Sequence, residues 1–256
     1  MRLPPAPDRA PDFADDFRSL DPARWIDHYL PHWTTPERSR ARYDVGAGGL
    51  RLRIDADQLD WRPEDAPLRV SNIQSGNHPG THRHRPDGLS VRTPSPTTVL
   101  WAPSAGRVDV TVSASVDENC MLAAWLVGTE HLAEGDAGEI CLFEIDASAV
   151  GASSTVARCG VKAHSDERLR TDMAAVTVPL DASRPHTWTA VWGPGFTTIG
   201  CEGEVVREIA QAPSYPLFLL IDLFEIGEPS AAGYPKSARV HAVQGWETGA
   251  TGAHRG

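Results

Sequence analysis

The sequence has no apolar run of the ~18 residues that a membrane-spanning helix needs. Its N-terminal segment, MRLPPAPDRAPDF, also lacks an apolar core of signal-peptide length. We therefore expect a cytoplasmic protein if the chain is full length, and a secreted protein if an export signal has been removed.

Cysteine is scarce, and its spacing does not match a metal site. The four cysteines, Cys120, Cys141, Cys159 and Cys201, are widely spread and contain no C-x-x-C pair. The H-x-H pair in NHPGTHRHRPDG (77–88) has no nearby Cys, Asp or Glu set to complete a site. We predict no metal and no cofactor, and the pairing of the cysteines stays open.

Basic residues are outnumbered by acidic ones. The chain has 24 Lys and Arg against 34 Asp and Glu, which gives a net charge of -10. Nucleic-acid surfaces use clustered Lys and Arg, so we expect no nucleic-acid partner. Signatures of serine hydrolases, P-loops and dinucleotide sites are absent as well. We expect a monomer that binds neither nucleic acid nor membrane.

Alternation of apolar and polar residues runs through the chain, whereas long amphipathic helical patterns are absent. In RVDVTVSASV (107–116), the period of two places Val108, Val110 and Val112 on one face. We count roughly a dozen such runs, most of them bounded by Gly, Pro, Asn, Asp or Ser. So many short strands predict an all-β domain of two packed antiparallel sheets or a barrel. The predicted single domain covers residues 13–247, with loose tails at 1–12 and 248–256.

The segment AGEICLFEID (137–146) places two glutamates in a predicted strand. Glu139 and Cys141 share a face, whereas Glu144, five positions after Glu139, should face the other way. A β-bulge near Leu142 or Phe143 would return Glu144 to the first face. The pair is then a candidate for retaining glycosidase chemistry, which needs two carboxyl groups ~5–5.5 Å apart. Two solvated charges on an edge strand are the alternative.

The segment around these glutamates resembles the E-x-D-x-x-E active-site strand of glycoside hydrolase family 16. The resemblance extends in one order over residues 13–246. It includes the segments FADDFRSLDPARW, GGLRLRI, SNIQSG, AGRVDVTVSAS, CMLAAWLVG, HTWTAVWGPGFTTIGCEGEVVREI and SYPLFLLIDLF. The resemblance implies a concanavalin A-like β-jelly roll, in which two curved antiparallel sheets stack and the concave sheet forms a sugar-binding cleft. It also implies that Glu139 is the nucleophile and Glu144 the general acid/base.

Three positions depart from the family pattern. Cys141 replaces the central Asp, which hydrogen-bonds the nucleophile in the family, and a thiol is a weak donor. Thr111 stands where the family often has Arg. His241 stands where members with a structural calcium often have Asp, so we do not predict calcium. A bacterial subgroup with the E-I-C pattern also has a segment similar to GVKAHSDERL (160–169).

Seven further residues are candidates for substrate binding. Tryptophans pack on the apolar faces of sugars, and Trp125, Trp101 and Trp33 are the cleft candidates among the eight. Polar candidates are Asn72 and Gln74, which share one face of SNIQSG, together with His164 and Tyr215. Core packing for the tryptophans and a solvated strand for the polar residues are the alternatives.

Three functions are compatible with these features. The first is a retaining glycoside hydrolase acting on a β-linked polysaccharide or oligosaccharide. The second is a non-catalytic carbohydrate-binding protein, which the loss of the central Asp favours. The third is a cytoplasmic biosynthetic enzyme that uses the same cleft for acid/base or cyclisation chemistry on a non-sugar small molecule. The expected ligand is therefore a carbohydrate or another small molecule.

Overall fold

The computed structural model describes residues 1–80, 89–228 and 233–248. His82 and His84, and the expected C-terminal tail beyond residue 248, lie outside the described residues.

Strands are the main regular secondary structure of the described chain. They are β1 Phe13–Asp15, β2 Arg42–Gly46, β3 Gly49–Ile54, β4 Leu68–Gln74, β5 Gly76–Asn77, β6 Thr98–Val99, β7 Gly106–Ser113, β8 Cys120–Gly128, β9 Glu139–Asp146, β10 Thr155–Lys162, β11 Asp172–Val178, β12 His186–Gly193, β13 Phe196–Cys201, β14 Glu204–Ile209, β15 Leu217–Ile226 and β16 Lys236–Glu247. The helical elements of the same ranges are α1 Pro36–Ser39 and the 3₁₀ turns Pro31–Trp33, Pro63–Asp65 and Ala147–Ala149. In the part of the chain that the structure describes, no helix is long and apolar enough to cross a membrane.

The strands form two large antiparallel sheets. One has the order β14-β13-β12-β7-β16-β3-β2, with β1 paired to β16. The other, which we call the cleft sheet, has the order β11-β10-β9-β8-β15-β4. A two-stranded ribbon of β5 and β6 lies beside them. The predicted all-β sandwich of two antiparallel sheets is confirmed.

The apolar faces of the two sheets meet in one core. Buried and half-buried residues alternate along β7, and Val108, Val110 and Val112 point into the core as the pattern predicts. Leu122 and Leu126 of β8 belong to the same core. The opposite face of the cleft sheet carries a separate cluster of buried aromatic and apolar residues, and it also carries the glutamate pair.

The N-terminal residues are attached to the sandwich, so the expectation of a loose tail over residues 1–12 is wrong. Leu3 is only 8% exposed, and its amide donates to the carbonyl of Gly203 at 2.9 Å. A side chain at Gly200 would meet Leu3, because an added Cβ would lie 2.3 Å from Leu3 Cδ1. The amide of Val205 donates to the carbonyl of Met1 at 2.7 Å. The tail therefore gains apolar burial and covers the edge strand β14.

Candidate active site

The predicted β-bulge lies in β9, at Leu142. Ala124 of β8 pairs with Phe143, whereas the next residue, Trp125, pairs with Cys141. Leu142 is therefore an extra residue between two consecutive pairs. The pairing of β9 with β10 shifts over the same stretch.

Packing explains why the bulge forms at this point. Leu142 and Phe143 are both fully buried in the core between the sheets, although they are neighbours in sequence. Because both large apolar side chains turn toward the core, the alternation of side chains between the two faces of the strand is shifted by one residue after the bulge. Glu144 therefore returns to the face that carries Glu139 and Cys141.

The bulge brings the two glutamates together around the thiol. One carboxyl oxygen of Glu139, one of Glu144 and Sγ of Cys141 all lie within 4.8 Å of one another. Glu139 is 5% and Glu144 is 9% exposed. Two carboxylates this close and this buried need compensating positive charge.

Lys162 supplies that charge, and sequence reasoning missed it. Its Nζ lies 2.8 Å from Oε1 of Glu139 and 2.7 Å from Oε1 of Glu144. It also lies 5.0 Å from the centre of the Trp125 ring. Lys162 is directly opposite Glu139 in the β9–β10 pairing. That register could not be read from the sequence, although Lys162 is one of only two lysines in the chain.

Each glutamate has a second cationic or imidazole partner. His164 Nε2 lies 2.9 Å from Oε2 of Glu139, and Arg158 Nε donates to Oε2 of Glu144 at 3.0 Å. Arg158 also pairs with Asp146 through its Nη1. Burial raises the pKa of Glu139, but the hydrogen bond with His164 and the charge of Lys162 outweigh it and leave this pKa below its ordinary value. Glu139 is therefore held ionised.

Cys141 is inert in this setting. Its Sγ donates to the carbonyl of Arg158 at 3.7 Å. Burial, and then the charges of Glu144 and Glu139, raise the pKa of the thiol well above its ordinary value. The two carboxylates and this sulfur have the spacing of a metal-binding group, but a metal needs the thiolate. Lys162 already occupies the place of a cation between the two glutamates.

A third carboxyl group lies on the same face of the cleft sheet. Asp222 of β15 is fully buried, and Asn72 donates to its Oδ1 at 2.7 Å. Two atoms of this pair have no hydrogen-bond partner: Oδ2 of Asp222 and Oδ1 of Asn72. Burial raises the pKa of Asp222 well above its ordinary value, in part opposed by the Asn72 hydrogen bond. Asn72, a substrate-binding candidate, therefore holds a buried carboxyl.

A pocket of about 260 Å³ lies beside Glu139, over β8, β15 and β4. Four predicted substrate-binding residues line it: Trp125, Trp33, Gln74 and His164. Its wall also includes Tyr29, His32, His78, Leu220, Phe218 and Lys162. The Gln74 side chain is itself engaged, since it donates to the carbonyl of Gly76 at 2.8 Å.

Trp101 does not reach the cleft, so its prediction as a substrate-binding residue is wrong. It lies in the core between the sheets, 5% exposed, and its ring stacks on Phe13 with centroids 4.9 Å apart. Gly245 leaves room for this ring, because an added Cβ would lie 2.4 Å from Trp101 Cζ2. Trp101 follows the short strand β6, and alternation over so few residues does not fix which way the ring turns.

Tyr215 is also misassigned as a substrate-binding residue. Its hydroxyl donates to Oδ2 of Asp166 at 2.7 Å and accepts from the amide of Gly138 at 2.6 Å. Its ring lies 4.9 Å from the guanidinium of Arg168. Tyr215 therefore fixes the backbone immediately before Glu139 and has no polar group left for a sugar.

The overall fold is shared with known carbohydrate-active enzymes. No protein-family model matches the chain, and no curated protein matches it. A GlcNAcα1-4Gal-releasing endo-β-galactosidase from Clostridium perfringens superposes with a TM-score of 0.80 at 22% identity, over 95% of this chain and 65% of that one. This chain thus spans less than two thirds of the length of that galactosidase.

Two further structures match over nearly their whole lengths. A variant of LamA from Z. galactanivorans, in complex with laminaritriose and laminaritetraose, has a TM-score of 0.67 at 15% identity, over 93% of this chain and 99% of its own. A non-specific endo-β-1,3(4)-glucanase from family GH16 has a TM-score of 0.65 at 14% identity, over 97% and 98%. At these identities the likeness establishes the fold, which is the concanavalin A-like fold of glycoside hydrolase family 16.

Proposed function

We propose that the protein is a retaining glycoside hydrolase that acts on a β-linked polysaccharide or oligosaccharide. One observation carries the proposal: the bulge at Leu142 places Glu139 and Glu144 on one face, with oxygens within 4.8 Å of each other. Retaining enzymes hold their carboxyl groups ~5–5.5 Å apart, whereas inverting enzymes need ~6.5–9.5 Å to fit a water molecule. The spacing of this pair therefore supports the retaining geometry.

The environments of the two glutamates support different roles. Glu139 has a lowered pKa and is ionised at neutral pH, as a nucleophile must be. In the first step its carboxylate attacks the anomeric carbon, and the bond to the departing oxygen breaks while that oxygen takes the proton of Glu144. In the second step Glu144 takes a proton from water, the water oxygen attacks the anomeric carbon, and Glu139 is released.

A non-catalytic carbohydrate-binding protein is the second candidate, and the contacts of Glu144 favour it. Lys162 donates to its Oε1 and Arg158 to its Oε2, so both oxygens are occupied. A carboxyl that gives a proton to a leaving group has to release one of these bonds. If neither Lys162 nor Arg158 releases its oxygen, the cleft binds sugar without turnover.

Reducing-sugar release from β-glucans, agarose, carrageenan and xyloglucan tests the proposal. Wild type is compared with Glu139→Gln and Glu144→Gln, and Glu208→Gln, at an exposed glutamate of β14, is the matched control. We expect release from at least one polymer, a loss of about a hundredfold or more in both site variants, and no change in the control. Activity that survives either site variant, or release from none of the polymers, would contradict the proposed hydrolase.

A further inference from the structure

The pocket beside Glu139 is bounded by aromatic and apolar side chains of the cleft sheet and of the segment before β2. Its floor consists of Trp125 of β8 and of Leu220 and Phe218 of β15. Its far wall is the segment from Tyr29 to Trp33, which is held against β4 because the Leu30 amide donates to Oε1 of Gln74 at 3.3 Å.

Two contacts join the loops at the far end. Nε1 of Trp33 donates to the carbonyl of Gly80 at 2.7 Å. The rings of His78 and His131, from the loops that follow β5 and β8, lie 6.4 Å apart. Each imidazole Nδ1 is held by a threonine hydroxyl, Thr97 for His78 and Thr129 for His131. A sugar chain that enters past Glu139 therefore meets a wall at Trp33.

Buried aromatic side chains close the remaining side. Phe224 contacts both Trp125 and Tyr29, with ring centroids 5.7 and 5.4 Å apart. Trp61 packs on Tyr29 at 5.1 Å. These rings fill the concave face where an extended cleft would continue along the strands. The space left is about 260 Å³, just under the ~300–1,000 Å³ typical of pockets for small ligands.

Among the described residues, the opposite side of the glutamate pair is open. Over β10 and β11 the outer face carries Val156, Ala175 and Thr177, and all three are exposed. A bulky group can lie on this face without meeting a wall formed by residues 1–80, 89–228 or 233–248. The cleft is therefore asymmetric about the glutamates, with a blind pocket toward β4 and an open surface toward β11.

The two glutamates lie differently with respect to this pocket. Glu139 lines it and Glu144 does not. In the proposed reaction the nucleophile bonds to the anomeric carbon of the sugar on the non-reducing side of the cleaved linkage. The acid/base gives its proton to the oxygen of the departing sugar on the other side. The sugar attached to Glu139 during the reaction therefore occupies the pocket, and the departing chain lies over β10 and β11.

We infer that the pocket binds one or two sugars at the non-reducing end of a β-linked glycan, so that the protein removes a short unit from the chain end. This inference rests on the proposed function. The pocket's ligand is a neutral sugar, because the charge of Lys162 is already compensated by Glu139 and Glu144.

Product analysis with end-labelled oligosaccharides tests the inference. The probes are β-1,3-linked glucose and β-1,4-linked galactose oligomers of increasing length, each labelled with 2-aminobenzamide at the reducing end and followed by mass spectrometry. We expect one unlabelled product, a mono- or disaccharide, and labelled products that shorten by that unit step by step. A mixture of unlabelled fragments of all lengths would overturn the inference and leave the proposed hydrolase standing.

Calorimetric binding of the unlabelled oligomers to Glu139→Gln separates the pocket from catalysis. Affinity should rise with length up to about two sugars and then change by less than about threefold, because the rest of the chain lies on an open surface. This plateau without any cleavage by wild type would support the pocket and reject the hydrolase. An affinity that keeps rising with every added sugar, or binding of none of the oligomers, would overturn the inference.

A variant of the far wall gives an independent readout. Trp33→Ala should open the blind end, so that unlabelled products longer than those of wild type appear. Phe196→Ala, which removes a 45% exposed aromatic ring from the other sheet, is the matched control and should leave product length unchanged. Unchanged products from a folded Trp33→Ala, as judged by circular dichroism, would contradict the role of this wall.

Discussion

The ammonium of Lys162 lies 2.7 Å from Oε1 of Glu144, on an oxygen that a proton-donating carboxyl would present to its substrate. The same ammonium lies 2.8 Å from Glu139. Lys162 therefore holds the pair together, and either Lys162 or Arg158 has to release Glu144 when the acid/base acts.

Replacing Lys162 with Met should move the acid limb of the pH–activity profile to higher pH. Burial raises the pKa of Glu139, and the variant loses one of the two partners that lower it. The nucleophile must be ionised to react. As the pH is lowered, kcat/KM should therefore begin to fall at a pH about one unit higher than in wild type. Lys162→Arg keeps the charge and is the control. Identical acid limbs for wild type and Lys162→Met would contradict this role.

Replacing Cys141 with Asp should restore the carboxyl that the family pattern has between the two glutamates. A negative charge close to both carboxylates favours the protonated form of the pair. The alkaline limb of the pH profile of kcat/KM should therefore move to a pH about one unit higher. Burying the extra carboxylate should lower the free energy of unfolding by ~1–3 kcal/mol. Cys141→Ser, which adds no charge, is the control and should leave the alkaline limb in place.

Replacing Asp222 with Asn should stabilise the protein at neutral pH and have less effect in acid. The pKa of this carboxyl is raised in the folded state, so its favourable contribution is present below the unfolded-state pKa and is lost as pH rises through the folded-state pKa. Asn does not titrate, and its amide can donate to the unpartnered Oδ1 of Asn72. Urea unfolding should show a gain of ~1–3 kcal/mol near pH 8 that shrinks near pH 4. A gain that is equal at both pH values would argue against a titrating Asp222.

Replacing Tyr215 with Phe should reduce stability without weakening substrate binding. The variant leaves the amide of Gly138 and Oδ2 of Asp166 without the hydroxyl that joins them. The free energy of unfolding should fall by ~1–3 kcal/mol, while KM stays within about twofold of wild type. A large rise in KM with unchanged stability would instead place Tyr215 in contact with the substrate.

The fold and the glutamate pair could be predicted because local patterns determine them. The alternation of Val108, Val110 and Val112 identifies a strand with one face in the core. The five-residue spacing of Glu139 and Glu144 fits a shared face only with a bulge, and that bulge was predicted at the position where it occurs.

The features that escaped prediction depend on which strands are neighbours and in what register. Lys162 lies between the glutamates because β10 pairs with β9 at Glu139, and sequence patterns do not specify such pairs. Asp222 is buried because β15 lies between β8 and β4 in the sheet, although it follows β14 in the chain. The direction of Trp101 escaped prediction because β6 is too short for alternation to orient its neighbours.

Covalent trapping shows whether Glu139 is a nucleophile and Glu144 its acid/base partner. The probe is the 2-deoxy-2-fluoro derivative of the sugar released in the polymer panel, as a glycoside with an activated leaving group. The labelled peptide is then identified by mass spectrometry. We expect one glycosyl adduct, on Glu139, that is absent from Glu139→Gln and still forms in Glu144→Gln, because an activated leaving group needs no acid. An adduct on Glu144 or Asp222, or turnover of the natural substrate with inversion and no adduct, would contradict these roles.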